Sequence, residues 1–239
     1  MTGKTTDYEY IGDELELFKH ATNWKQYMLA VLKPYIKGKV LEVGAGIAGT
    51  TQLFCTESVA TWTALEPDAS LAETFTLNLA DKKMPAPVKL LTGTLADLEP
   101  GARFDCVLYI DVLEHIEQDR DELRLAAETL AAGGRLIVLS PAHQFLYSPF
   151  DKAIGHFRRY SAEQLLALTP PGVKIELIRY LDAVGMLASM ANRLMLKQSM
   201  PQPRQLWLWD KALVPISRLL DPVFAYKIGK SVVAVWTKL

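Results

Sequence analysis

A chain of 239 residues, half of them hydrophobic, is long enough for one large domain with a full core. Its 26 Lys and Arg against 27 Asp and Glu leave a net charge of −1, which argues against nucleic acid as the main partner. Two cysteines make no disulfide framework and fit a reducing, cytoplasmic setting, the polar and acidic stretch Met1 to Glu16 is unlike a signal peptide, and no run reaches the ~18 apolar residues of a membrane span.

In chain order, Asp13 to Leu32 predicts one amphipathic helix, because Leu17, Ala21, Trp24, Met28 and Val31 recur at helical spacing and Pro34 stops the run. It is either packed on the core or a lid whose Trp24 or Tyr27 closes over a ligand. Val40, Leu41 and Val43 then read as a short buried strand. Gly44, Ala45 and Gly46 form a turn with almost no side chain, which a ligand can approach closely. A helix from Thr50 would aim its free N-terminal amides at that turn. With Gly49 the turn reads G-x-G-x-x-G, a weak signal by itself, and the plain alternative is a tight turn with no ligand.

Strand and helix patterns continue to alternate. Val59 to Leu65 is a strand ending on Glu66, and Ala69 to Leu79 a helix with Leu71, Phe75 and Leu79 on one face. Val88 to Leu91 is a third strand, and Phe104 to Ile110 has the nearly unbroken apolar run of a central parallel strand. Asp119 to Ala131 predicts a helix ended by Gly133 and Gly134, followed by a fifth strand over Arg135 to Leu139. Such alternation specifies a doubly wound α/β sheet covered on both faces. Beyond it, Val173, Ile175 and Leu177 alternate with Lys174 and Glu176, and Ser231 to Trp236 is a last β-rich run. The expected organisation is one domain: a helical N-terminal cap over 1–36, a ligand-binding core over 37–180, a helical insertion rich in Met, Trp and Pro over 181–229, and the last strand over 230–239.

Several motifs carry chemistry. Glu42 sits two residues before Gly44, an awkward place for a carboxylate unless a cation or donor needs it. Glu66, about twenty residues on, is where an acidic residue can grip ribose hydroxyls. With these two, the glycine turn resembles the S-adenosylmethionine site of the class I methyltransferases, whose motif reads E/D-x-G-x-G. Phe104-Asp105-Cys106-Val107 and the later Leu113-Glu114-His115 are similar to that family's fourth strand and following loop, and Leu130 to Leu136 to its L-x-P-G-G-x-L stretch, with Ala132 in place of proline. The resemblance implies a mostly parallel seven-stranded sheet with an antiparallel last strand. It implies S-adenosyl-L-methionine as cofactor, held by Glu42, Gly44, Ala45, Gly46, Gly49, Glu66, Pro67, Thr94, Leu95, Ile110 and Asp111. Thr94 stands where many members carry Asp, which shifts adenine recognition to the Thr94 and Leu95 backbone.

The segment Asp151 to Tyr160, with the string Gly155-His156-Phe157-Arg158-Arg159-Tyr160-Ser161, is dense in polar groups for a loop, and Ser161 with Gln164 makes a capping box that starts the next helix. It is similar to the acceptor-lining region of quinone and lipid O-methyltransferases. The expected function is methyl transfer to a small, partly apolar acceptor, with O-methylation favoured. His156 is the first choice of general base, His143 the second, and Tyr160 a third catalytic candidate. Asp151, Arg158, Arg159 and Trp207 are the candidate acceptor contacts. The plain alternative is that the arginines pair with carboxylates and His156 is structural. Glu114 and His115 are expected to hold their loop; no ligand spacing is convincing and no metal is expected, although Asp111, Glu114 and His115 come nearest to one. Two other readings stay open: a nicotinamide-dependent dehydrogenase, since Gly44, Gly46, Gly49 and Glu66 fit that fingerprint too, and a non-catalytic S-adenosylmethionine-binding module. The insertion, with Met186, Leu187, Met190, Leu194 and Met195 close to one helical face and Trp207 and Trp209 beyond, is expected to cap the acceptor and to touch a membrane surface weakly. Oligomeric state is not legible.

Overall fold

The computed structural model describes residue 15, residues 18–195 and residues 202–239, with the backbone alone for residues 192–195. Seven strands form one sheet: β1 (Gly38–Val43), β2 (Val59–Glu66), β3 (Val88–Thr92), β4 (Phe104–Ile110), β5 (Leu130–Pro141), β6 (Val173–Leu181) and β7 (Ser231–Lys238), in the order β3-β2-β1-β4-β5-β7-β6. β7 runs antiparallel to both of its neighbours, and the other pairs are parallel. This is the mostly parallel, doubly wound sheet that the strand–helix alternation and the family resemblance implied.

The central strands are apolar almost throughout because both of their faces are covered. Successive side chains point to opposite faces. Val40, Cys106, Leu108, Ile137 and Val233 therefore pack into one core layer, and Leu41, Val107, Tyr109, Leu136 and Val138 into the other. α1 (Thr22–Leu32) covers the first layer with Trp24, Tyr27, Met28 and Leu32. α4 (Asp119–Glu128) covers the second with Leu123, Ala126 and Ala127. Between them in sequence lie α2 (Gly49–Phe54) and α3 (Ala69–Leu79), and after β5 come α5 (Pro149–Ala153) and α6 (Ala162–Ala167).

Three expectations need correction. The single helix over Asp13 to Leu32 is broken: Leu15 and Phe18 are helical, but residues 19–20 form a turn and Ala21 has ψ of 69° before α1 begins at Thr22. Residues 1–14, 16 and 17 lie outside the described part, so Leu17 does too. The lid reading of Trp24 and Tyr27 fails, because both are buried and the Tyr27 hydroxyl donates to Asp221 at 2.7 Å. The helix over Asp119 to Ala131 ends at Glu128, and Leu130 already pairs with Phe104 of β4, so Gly133 and Gly134 lie inside β5 and do not cap a helix.

The helical insertion follows β6 as α7 (Ala183–Met195), α8 (Pro203–Leu208), a π turn (Trp209–Leu213) and α9 (Val214–Val223). The expected apolar face of α7 can be followed to Met190; the Leu194 and Met195 positions lie beyond the described side chains. Two buried aspartates tie the insertion to the body. Asp221 accepts from the Tyr27 hydroxyl and from the backbone amides of Asp182 and Ala183. Asp182 accepts from the Gly185 amide, the Ser217 hydroxyl at 2.6 Å and the Trp209 indole N–H at 2.6 Å. No described helix is long and apolar enough to cross a membrane.

Candidate active site

The strand order reverses between β1 and β4, and in open α/β sheets the crevice at the carboxyl ends of such neighbours is where ligands bind. The turn after β1 and the loop after β4 meet there. Gly44 has φ of +69°, and a Cβ on it would lie 2.7 Å from a Val112 methyl, so both the backbone and the space demand glycine. Glu66, at the end of β2, is buried and accepts from the Gly46 amide at 2.7 Å and the Asp68 amide at 3.0 Å. One carboxylate thus fixes the turn and the start of α3, which Asp68 caps, with Pro67 between them. Ala45 is buried with its amide on the Leu65 carbonyl, and Gly49 begins α2.

Glu42 is buried in β1. One of its oxygens accepts from the Thr51 hydroxyl and, at 2.8 Å, from the Trp62 indole N–H. The other is buried without a hydrogen-bond partner among the described residues. Burial pushes the Glu42 pKa up to about 8, against the Thr51 and Trp62 donors that favour the charged form. Thr94 and Leu95 follow β3, where the Thr94 amide and hydroxyl both donate to Asp97, making a capping box; Leu95 is buried. Asp97 is therefore occupied in shaping this turn. Ile110 ends β4, and Asp111, exposed with φ of +54°, donates its amide to the Leu139 carbonyl.

A second group of polar side chains lies just beyond Val112. Glu114 is completely buried, and among the described residues neither of its carboxylate oxygens meets a donor in full hydrogen-bond geometry, although Ser140 lies near enough to favour the charged form. Burial and the Asp111 charge hold its pKa well above the usual carboxylate range. His156, almost fully buried, places Nε2 3.8 Å from Glu114 Oε1 and Nδ1 3.0 Å from Asp151 Oδ1. Asp151 also receives two hydrogen bonds from the Arg159 guanidinium and two from Ser148, and these donors outweigh burial and keep its pKa below the ordinary range. The His115 ring stands edge-on to His156 with centroids 4.5 Å apart, and burial pushes its pKa down to about 3.

The structure thus brings Asp151, His156 and Arg159 together and separates the other candidates. Tyr160 is buried and donates to Asp119 at 2.8 Å and to the Leu113 carbonyl at 3.3 Å. Arg158 pairs with the same Asp119 at 2.5 Å, so this tyrosine and arginine lock the loop after β4 to α4. His143, with φ of +64°, stacks between Tyr180 and Phe145 with centroids 4.6 and 5.1 Å away. Its Nε2 is buried without a hydrogen-bond partner among the described residues, and burial lowers its pKa.

Residues 41–136, from β1 into β5, match a family model described as a methyltransferase domain. That stretch, which holds the glycine turn and the loop after β4, is similar to a methyltransferase domain. No curated protein matches the chain. Among solved structures, coclaurine N-methyltransferase bound to N-methylheliamine and SAH is similar with a TM-score of 0.62 at 15% identity, over 96% of this chain and 83% of that one. Haemonchus contortus phosphoethanolamine N-methyltransferase 2, in complex with S-adenosyl-L-methionine, gives 0.60 at 16% identity, over 98% of this chain and 58% of that one. The SpnF cyclase gives 0.59 at 16% identity, over 90% and 80%. At such identities the likeness is one of fold, and the differing activities in these names leave the acceptor open.

Some parts of the candidate site escape sequence reasoning. Thr51 and Trp62, which hold Glu42, lie on different elements and share no local spacing with it. Lys230 immediately precedes β7, with Nζ 3.9 Å from the Trp209 ring centroid and 4.0 Å from Asp182 Oδ2. Burial lowers its pKa against the pull of Asp182, and the charges of Arg159, Asp111 and Asp151 act on it as well. Trp207, expected beside the acceptor, is instead 63% exposed on α8.

Proposed function

We propose that this methyltransferase O-methylates a small, partly apolar acceptor held over the loop after β4. The observation that carries the reading is the buried group Glu114, His156 and Asp151, which begins two residues beyond the Val112 that closes on the glycine turn. An amine acceptor offers its lone pair directly, whereas a hydroxyl must lose a proton, and such a group is suited to promoting that loss.

The residues around the turn fit the cofactor. The unpartnered Glu42 oxygen lies next to the turn and suits a cationic ligand, and the side-chain-free turn lets that ligand approach the backbone. Glu66 orients the turn and presents a buried carboxylate for ribose hydroxyls; the Thr94–Leu95 turn and the Ile110–Asp111 backbone border the same crevice. When bound, S-adenosylmethionine supplies a methyl group on a positively charged sulfur. The protein's own part is positioning, exclusion of water and control of the acceptor proton. Asp151 fixes the His156 ring with Nδ1 toward itself, and Arg159 fixes Asp151. Arg158 and Tyr160 act one step away, by holding the loop that carries Glu114.

Substituting His156→Ala is expected to lower turnover of a hydroxyl acceptor by roughly 10²–10⁴ while leaving S-adenosylmethionine affinity nearly unchanged. Intact turnover would return His156 to a structural role and make His143 the next residue to replace. The insertion from α7 to α9 is read as the cap over the acceptor's apolar part and as a weak contact with a membrane surface from the cytoplasmic side. Its exposed Leu187, Trp207, Leu208 and Leu219 support that reading.

A further inference from the structure

We propose that Glu114, His115 and His156 form a binding site for one divalent transition cation, of the Zn²⁺, Mn²⁺ or Fe²⁺ class, beside the acceptor. Each residue offers one donor atom, and the three donors lie within 4.8 Å of one another. Ligands around such an ion at bond lengths of about 2.0–2.2 Å are roughly 3–3.5 Å apart, so modest side-chain rotation closes the set. One carboxylate with two imidazoles is a donor set suited to these metals and a poor one for Ca²⁺ or Mg²⁺, which prefer oxygen.

Two observations point to an ion and not to a packed polar cluster. Among the described residues neither oxygen of buried Glu114 meets a donor in full hydrogen-bond geometry, with Ser140 and its own amide near enough only to favour the charged form, a condition native proteins seldom tolerate unless an ion or water completes the group. His156 supplies the second. Its Nδ1 is 3.0 Å from Asp151 Oδ1, whose carboxylate can only accept, so Nδ1 carries the proton and, in the neutral ring, Nε2 presents a lone pair. That lone pair faces Glu114 Oε1 at 3.8 Å. A shared proton would draw these atoms to hydrogen-bond distance, near 2.8 Å. At 3.8 Å no hydrogen bond joins them, and a cation between them would satisfy both. Asp151 then plays the part of the outer carboxylate that orients a metal-bound histidine, and Arg159 and Ser148 hold Asp151 in turn.

The site refines the proposed O-methylation and rests on it for its role. A bound cation with an open position would take the acceptor oxygen as a further ligand and lower its pKa, the proton leaving to water. His156 would act there as a ligand and not as the base itself. This proposal departs from the expectation, drawn from sequence spacing, that no metal is needed.

The test is metal binding, independent of turnover. The full-length protein, stripped with a chelator, is titrated with Zn²⁺ by calorimetry and with Co²⁺ by visible absorption. One equivalent is expected to bind, with Co²⁺ giving ligand-field bands. Glu114→Gln and His156→Ala should abolish stoichiometric uptake, and Asp151→Asn should weaken it about 10–100-fold. Retained binding of SAH by each variant identifies those that have folded, and His115→Asn serves as a third should one of the others fail. No stoichiometric uptake by the wild type, or uptake unchanged in the folded variants, overturns the site. Methyl transfer that persists in the stripped protein would leave the O-methylation reading standing without the metal, whereas metal uptake without transfer to any hydroxyl acceptor would do the reverse.

Discussion

Glu42 has one oxygen held by Thr51 and Trp62 and another without a hydrogen-bond partner among the described residues, in the interior of β1. With its pKa raised from 4.5 to about 8, the folded protein keeps a proton between those values that the unfolded chain has released. Its contribution to stability is therefore complete below about pH 4.5 and declines as pH rises to about 8. A cationic cofactor reverses the preference and favours the carboxylate. Affinity for S-adenosylmethionine is then expected to rise between pH 6 and 8, approaching about tenfold per unit at the acid end. Calorimetry at pH 7 in buffers of different ionisation enthalpy should detect proton release on binding, and Glu42→Gln should abolish it. Binding that is indifferent to pH would remove Glu42 from the cofactor site. Glu66 gives a second test at this scale. Glu66→Ala removes the acceptor of the Gly46 and Asp68 amides together with any contact to the ribose. At roughly 1.5–3 kcal/mol for each charged hydrogen bond, affinity should fall at least about tenfold with the protein still folded. Unchanged affinity in calorimetry would show that Glu66 only shapes the turn.

At the scale of elements, the legible parts were those that depend on neighbours in sequence. The apolar run of β4 and the glycines after β1 announce their structure because burial on two faces and a tight turn each leave a local mark. Asp151 and His156 were legible together for the same reason, since five residues and a short helix separate them. The end of α4 was misread because the pairing of Leu130 with Phe104 is a tertiary contact that overrides the helical tendency of two alanines. The facing of Glu114 with His156 and the double-aspartate node under the insertion also needed the fold. That node makes its own prediction. Asp221 accepts from three buried donors contributed by α1 and by the junction of β6 with α7. Asp221→Ala should cost about 3 kcal/mol or more, read as a lower denaturation midpoint. Gly185→Ala should act on the same node, because a Cβ there would meet Asp182 Oδ2 at 2.0 Å. A loss under about 1 kcal/mol in both variants would mean that the insertion is anchored mainly by its apolar contacts.

Over the whole molecule, polarity is inverted on α9. Its buried side includes Ser217 and Asp221, which serve the aspartate node, while Ile216, Leu219 and Val223 point to solvent. Leu219 and Val223 are each 75% exposed. Trp207 on α8 and Leu187 on α7 are exposed as well, and Arg204, Arg218 and Lys227 belong to the same stretch of chain. Apolar side chains accompanied by cations match the boundary between acyl chains and anionic headgroups, and a partly apolar acceptor is concentrated at such a boundary. Trp209, which sequence reasoning grouped with Trp207, is buried beneath Lys230 and bonded to Asp182, so replacing it would perturb folding and not docking. The informative variant is therefore Trp207→Ala with Leu219→Ser and Val223→Ser. If each side chain contributes ~1 kcal/mol on partial insertion, the triple variant should bind anionic vesicles about 100-fold more weakly. It should also raise the Michaelis constant for a vesicle-dispersed acceptor while leaving cofactor affinity unchanged. Added salt should weaken wild-type binding through the basic residues. Sedimentation that finds no vesicle binding at low ionic strength would end this reading, and a wild-type dimer that dissociates in the triple variant would make the same surface a subunit interface.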